Sequence, residues 1–389
     1  MSSEDGHMRI GLVTASDARS RETWSGTHYY MAQALQKHCG ELYYLGPIKT
    51  IVQSAAGDVG KVLQLLSRKR YWHVRSIVVA MRYARILEQR ISKQPLDLLV
   101  APLALAEISF LKTELPIVYV SDSTFASLVN YYPYFSPSRL LGISIREGNA
   151  LERRALRRAN LVLYPSKWAA EAAISDYHID KAKVHVVPFG PNIEDFPDEA
   201  AVMEKKQTDR CRLLFLGKNW ERKGGDIAFE TLLALEEMGV RSELTVCGVV
   251  PPRSFSHEWM TVIPFLDKGD EVQRQKLYSL LLTSDFLLLP TRAELYGMVF
   301  CEASAFGLPS VTTNTGGISG AIEEGKNGFM LPLSARGTDY ARVISKAYRN
   351  GEYYRELVKS SRAAFNEKLN WDAWASSVKR LIDECGLVH

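Results

Sequence analysis

The sequence predicts an α/β protein of two doubly wound domains. Short apolar runs recur between longer amphipathic stretches, the alternation restarts near the middle of the chain, and 389 residues are ample for two such domains. Strands of this kind lie in parallel sheets covered on both faces. Ligands are then expected at the carboxyl ends of the strands and in a cleft between the domains.

The first half opens with Met8–Thr14 (MRIGLVT), followed by a Gly-containing loop and a helical pattern from Thr27 to Lys37. Further strands are expected at Leu96–Val100, Ile117–Val120, Leu161–Tyr164 and Val184–Val187, each bounded by Pro, Asp, Asn or Ser. The pattern restarts at Arg212–Leu216, with strands near Glu243–Cys247, Met260–Ile263, Asp285–Leu289 and Ser310–Thr313. Helices are expected at Asp226–Met238 and Glu271–Thr283. Between the halves, Pro188–Gln207 combines three prolines, turn residues and a charged run, the composition of a linker. The expected domains are 1–192 and 193–370. The amphipathic pattern Trp371–Glu384 begins after Asn370, a suitable N-cap, and the terminal segment 371–389 is expected to pack back on the first domain.

Composition sets bounds on function. Hydrophobic residues make up 46% and charged residues 24%, the balance of a globular protein, and a net charge of +4 is too weak to demand nucleic acid as a partner. The five cysteines are scattered without C-x-x-C spacing, against both a disulfide framework and zinc. Met1–His7 is polar, with neither the basic nor the apolar region of a signal peptide, and no apolar run reaches spanning length. A cytoplasmic location is expected.

Chemistry concentrates in Glu294–Gly307. A strand ends at Pro290, a loop carries Glu294 and Gly297, and a helix starts near Met298. Unpaired N–H groups at a helix start aim positive potential outward and stabilise a diphosphate or sugar oxygen. Glu302 lies about one turn inside that helix. After the strand at 212–216, Lys218, Arg222 and Lys223 fall in a glycine-rich loop (GKNWERKGG) before another helix. Three cations there suit a diphosphate leaving group; as a plain surface feature they would oppose the helix dipole.

Glu294 and Glu302, with seven residues between them, resemble the E-x7-E motif of the retaining family-4 glycosyltransferases of GT-B fold. Gly307-x-Pro309, Thr315-Gly316-Gly317 and the loop from Gly217 to Gly225 resemble the same family. The likeness extends in outline over the chain and is most specific from 212 to 332. It implies phosphate contacts by Lys218 and Lys223, with Lys218 where many relatives have Arg, which keeps the charge without bidentate geometry. It implies donor contacts by Gly217, Arg222, Leu295, Tyr296, Gly297, Met298, Val299 and Glu302. It also implies a base slot near Gly248 and Phe265-Leu266, where many relatives carry a second glycine.

In the first half, the resemblance implies that Gly26 in Trp24-Ser25-Gly26-Thr27 approaches the diphosphate or acceptor; Ser25 or Thr27 reads equally as a simple N-cap. His28 reads either as a base or as a helix-surface histidine. The family's His after the fourth strand is replaced by Ser121, leaving Asp122 as the candidate there.

The resemblance implies retaining transfer of a hexose, glucose from UDP-glucose being favoured, to a polysaccharide precursor or lipid-linked sugar. The leaving phosphate would accept the acceptor's proton. No Asp-x-Asp and no metal-spaced cluster occurs, so no cofactor and no metal are expected. Between Lys61 and Lys93 nine Lys/Arg face one acid, Glu88, with Tyr71, Trp72 and Tyr83 interleaved. This stretch, extended by Arg153-Arg154 and Arg157-Arg158, reads as a dock for anionic lipid or as a solvated helix face. The rival readings are an epimerase or phosphorylase on a similar fold, for which neither paired acid/base carboxylates nor a Schiff-base lysine is apparent, a non-catalytic nucleotide-sugar or membrane-surface binding protein, and a nicotinamide-dependent oxidoreductase. Absence of G-x-G-x-x-G after either opening strand speaks against the last.

Overall fold

A computed structural model describes residues 8–388. The polar segment Met1–His7 lies outside the described residues. Two compact units emerge: one runs to Val187 and resumes at Trp371, the other is Pro188–Asn370.

In the first unit the chain forms β1 (Met8–Leu12), α1 (Thr27–His38), β2 (Gly40–Tyr44), α2 (Ile51–Ser67), α3 (Ile77–Ile91), β3 (Leu98–Pro102) and α4 (Leu105–Ser109). It continues with β4 (Ile117–Val120), α5 (Phe125–Tyr131), α6 (Gly142–Arg158), β5 (Leu161–Tyr164), α7 (Lys167–Tyr177) and β6 (Val184–Val186). The strands build one parallel sheet in the order β2-β1-β3-β4-β5-β6. All residues of β3, β4 and β5 are buried, as befits apolar runs covered on both faces.

In the second unit α8 (Glu199–Met203) precedes β7 (Cys211–Leu216), α9 (Gly225–Glu237), β8 (Ser242–Cys247), β9 (Met260–Ile263), α10 (Glu271–Thr283) and β10 (Phe286–Leu289). Then come α11 (Met298–Ala305), β11 (Ser310–Thr313), β12 (Gly328–Leu331), α12 (Gly337–Arg349) and α13 (Gly351–Glu367). Its parallel sheet runs β12-β11-β10-β7-β8-β9. The strand order reverses between β7 and β10, and in the first unit between β1 and β3. Loops leaving the carboxyl ends of such strand pairs part to opposite faces and leave a crevice for ligand.

The predicted strands are all present, but β2 and β12 were not anticipated. Both are edge strands: β2 is nowhere buried and shows no apolar run, while β12 (GFML) is apolar but buried only at its two ends. The last helix, α14 (Trp371–Glu384), lies on α1. It buries Trp374, Ala375 and Val378, and its Asp372 accepts hydrogen bonds from Lys37 Nζ (2.7 Å) and His38 Nε2 (2.8 Å). Cys39, Cys211, Cys247 and Cys301 are buried free thiols, while Cys385 is exposed. Among the described residues, no helix is long and apolar enough to cross a membrane.

Candidate active site

The loops after β7 and β10 build one site at the reversal point of the second sheet. After β7, Gly217 passes close to Gly248, which follows β8. Gly248 has φ +103°, and a Cβ there would lie 2.8 Å from the Gly217 carbonyl, so only glycine permits this approach. Lys218 is exposed, its ammonium 4.8 Å from the centre of the Phe265 ring. Phe265 is exposed and Leu266 half-buried on the segment after β9.

The chain then turns back on itself. Asn219 Oδ1 accepts from the Arg222 N–H at 2.7 Å, and Trp220 buries its ring against Gly225 and Phe215. Gly224 enters α9 at φ +73°; a Cβ would sit 2.0 Å from the Pro290 carbonyl oxygen. The Arg222 carbonyl accepts from Arg292 N (2.7 Å) and from Thr291 Oγ1 (3.1 Å), which pins the β7 loop to the β10 loop.

This pinning places Glu294 between two cations. Lys223 Nζ donates to Glu294 Oε2, and Arg222 Nη1 reaches the same oxygen at 3.4 Å while donating to the Ala293 carbonyl at 2.9 Å. Lys223 is buried, 8% exposed, so its charge faces Glu294 rather than bulk solvent. A buried ammonium held by one carboxylate keeps donors for an arriving anion.

Gly297, with φ +89°, is the cap residue of α11, and α11 begins without a side-chain cap. Its early N–H groups therefore keep their capacity for ligand oxygens. Leu295, Met298 and Val299 are half-buried around this entry. Tyr296 instead turns its side chain inward, with its hydroxyl donating to the Phe189 carbonyl at 3.1 Å, so any donor contact there falls to its backbone. Glu302 is nearly buried one turn further on and accepts from Lys268 Nζ at 2.5 Å. Lys268 also donates to the Asn192 carbonyl at 3.4 Å. Sequence reasoning missed Lys268; its only signal is a lysine in the segment after the expected base slot.

In the first unit, Trp24, Ser25 and Gly26 are all left-handed, with φ of 48°, 56° and 91°. Two consecutive non-glycine residues in that region cost roughly 1–2 kcal/mol each. Trp24 Nε1 donates to Asp122 Oδ2 at 3.3 Å and thereby joins the two segments singled out in the sequence. Gly26 itself is the cap residue of α1, in place of Ser25 or Thr27. His28 is buried rather than on the helix surface. Its Nδ1 lies 3.4 Å from Ser16 Oγ, and burial lowers its pKa to about 4, which keeps the ring neutral. Asp122 Oδ1 accepts from Ser123 Oγ at 3.1 Å, and Ser121 Oγ donates to the Ser123 carbonyl at 2.8 Å.

The structure thus brings together Lys223, Arg222 and Glu294, then Glu302 with Lys268, Lys218 with Phe265, and Gly217 with Gly248. Gly26 and Asp122 share a second locus through Trp24.

Two family models match consecutive parts of the chain: Glycosyltransferase Family 4 over residues 29–195 and Glycosyl transferases group 1 over residues 199–364. A D-inositol 3-phosphate glycosyltransferase of Paenarthrobacter aurescens is 23% identical over 236 residues, 58% of this chain and 57% of that protein. The match thus spans little more than half the length of that curated relative. Sucrose-phosphate synthase from Thermosynechococcus elongatus shares the fold with a TM-score of 0.64 at 15% identity, covering 97% of this chain and 98% of that one. HepE of Anabaena, solved with UDP-glucose, aligns with a TM-score of 0.56 at 14% identity, over 97% of this chain and 100% of that one. With both halves matched in order and the two parallel sheets in place, the chain belongs to the family-4 type of glycosyltransferases and has the GT-B fold.

Proposed function

We propose that this chain is a retaining hexosyltransferase that takes its sugar from a UDP-type donor, UDP-glucose being favoured, without a metal ion. The observation that carries the reading is the Lys223–Glu294–Arg222 cluster at the reversal point of the second sheet. Lys223, Arg222 and Lys218 are the cations for the diphosphate, and the entries to α9 and α11 add main-chain donors. Glu294 orients the sugar hydroxyls and Glu302, set by Lys268, the ribose. Gly248, Phe265 and Leu266 border the base. Charge separation grows as the glycosidic bond breaks, and fixed cations stabilise it without reorganising. The leaving phosphate is the base for the acceptor hydroxyl. HepE, solved with UDP-glucose, supports the choice of donor.

The acceptor we infer is a polysaccharide precursor or a lipid-linked sugar. The chain would act in the cytoplasm, at the inner membrane face. Supporting this, α2 carries an apolar stripe with Ile51 89%, Leu65 83% and Leu66 80% exposed, flanked by exposed Lys49, Lys61 and Arg68. An apolar stripe between cations suits an anionic bilayer surface. The sequence-level basic stretch is thereby redistributed: Arg90 donates to the Leu45 and Pro47 carbonyls, and Arg75 lies 3.8 Å from buried Glu152.

The stereochemical part is tested by proton NMR of slow UDP-α-glucose hydrolysis. Retention gives α-glucose first. β-Glucose as the first product would overturn it.

A further inference from the structure

The most unusual cationic feature outside the donor site lies on α6. Arg153, Arg154, Arg157 and Arg158 line a cavity of about 500 Å³ whose remaining walls include Ile77 and Phe110. Arg153, Arg154 and Arg157 are exposed and Arg158 is half-buried, and among the described residues none of the four forms an ion pair with a carboxylate within 4 Å, whereas exposed Arg336 and Arg380 do. The mutual repulsion of the four is only partly offset by Glu114 and Glu88, which act on Arg158 from outside the pocket lining.

One of the four is held in place. Arg154 Nε donates to the Ser109 carbonyl at 2.5 Å, and its guanidinium lies 4.4 Å from the centre of the Phe110 ring. The Nε of Arg158 is buried with no acceptor. A buried donor without a partner is rare in folded proteins and marks a place where an acceptor is expected. Burial and then the neighbouring Arg154 lower the Arg158 pKa against the opposing pull of Glu114 and Glu88. The helix dipole accounts for Arg157 and Arg158 in the last turn of α6, but not for Arg153 and Arg154 before it.

We propose that this pocket binds a phosphoryl group carried on an apolar body, with the guanidiniums gripping the oxygens and Ile77 and Phe110 receiving the body. Guanidinium forks match phosphate geometry bidentately. The pocket shares no lining residue with the donor site or with the Gly26 and Asp122 locus. It is a holding site, separate from the chemistry, and does not depend on the identity of the donor.

The source of the phosphoryl group is a free phosphate compound or a lipid headgroup, and two arms separate them. In the full chain carrying Lys218→Ala, Arg222→Ala and Lys223→Ala, which remove the three donor-site cations, pyrophosphate is titrated calorimetrically. In the unmodified chain, sedimentation with phosphatidylglycerol vesicles is measured against phosphatidylcholine vesicles. Arg153→Gln with Arg157→Gln is added in both arms; these two side chains make no structural hydrogen bond in the described residues, and an unchanged Tm confirms folding. The pair should weaken binding at least tenfold in one arm or both, pyrophosphate identifying a free phosphate ligand and vesicles alone a headgroup. Lys167→Gln with Lys181→Gln, exposed cations elsewhere on the unit and outside the α2 stripe, should weaken it less than threefold. Equal losses from both pairs, or no loss from the arginine pair in either arm, would overturn the proposal.

Discussion

Arg212 grips Asp285 with its main-chain N–H (2.8 Å) and with Nε (3.1 Å) and Nη2 (3.0 Å), while the Asp285 N–H returns a bond to the Arg212 carbonyl at 2.7 Å. This ties the start of β7 to the start of β10, the two strands at whose far ends Lys223 and Glu294 meet. The first unit repeats the device: Arg9 grips Asp97 with N (2.8 Å), Nε (3.1 Å) and Nη2 (2.7 Å), and so joins β1 to β3. In each unit the clamp sits at the base of the pair where strand order reverses. Asp285 is fully buried and also accepts from Tyr354 Oη at 3.0 Å. Asp285→Ala strands Arg212 and should cost ~3–5 kcal/mol in urea unfolding, whereas Asp97→Ala, at a more exposed pair, should cost about 1–2 kcal/mol.

If Glu294 contacts the reacting sugar as proposed, Glu294→Gln should leave UDP binding nearly intact and lower turnover on UDP-glucose by on the order of 100-fold, because the charged contact is lost. Lys223→Ala should lower UDP affinity about 10- to 100-fold. Calorimetry of UDP and steady-state rates separate the two effects. Equal loss of UDP affinity in both variants would contradict the assignment of phosphate to Lys223 and sugar to Glu294.

Lys268→Met releases the Glu302 carboxylate from its nearest cation. If Lys268 positions Glu302 on the ribose, KM for the donor should rise about tenfold while kcat changes less than twofold. A fall in kcat with unchanged KM would place Lys268 elsewhere in the mechanism.

Gly224→Ala combines a left-handed backbone with a Cβ inside contact distance of the Pro290 carbonyl. The loss of stability should reach about 2–4 kcal/mol, well above the ~1 kcal/mol of a left-handed alanine alone. The excess is read from chemical denaturation.

Glu107 is buried in α4, and burial raises its pKa to about 7 from an ordinary 4.5. Between those values the folded state binds the proton that the unfolded chain releases. Its contribution is full below pH 4.5 and is lost as pH rises through about 7. Glu107→Gln keeps the neutral form at every pH, so the Tm difference between parent and variant should shift in the variant's favour from pH 5 to pH 8. That difference removes the contributions of Glu152, which runs the same way, and of His28, which runs the opposite way. A pH-independent difference would contradict the burial argument.

Much of this arrangement was legible in the sequence because central parallel strands are apolar throughout. Ile117–Val120 and Phe286–Leu289 announce themselves as runs, while β2 (GELYY) is a half-exposed edge whose pairing alone makes it a strand, and β12 (GFML) is a short apolar run enclosed by Gly328 and Pro332. The Glu294 and Lys223 loops stood out through their glycines and charges. Lys268 did not, since its partner Glu302 lies 34 residues away and a lone loop lysine carries no pattern. Nor does spacing reveal that Trp24 reaches Asp122, 98 residues on, or that His28 faces inward from α1. Charge counting over Lys61–Lys93 treated nine cations alike, yet folding sends Arg75 and Arg90 to internal partners and leaves Arg82 and Arg85 in solvent.

The central claim is that Lys223 and its neighbours hold a uridine diphosphate without metal. The direct measurement is a thermal-shift panel of UDP, GDP, ADP and their glucose conjugates, each with EDTA and with magnesium. The account predicts that UDP and UDP-glucose raise Tm equally in EDTA and in magnesium, and that Lys223→Ala abolishes the rise. A rise seen only with magnesium, or one that survives Lys223→Ala undiminished, would contradict it.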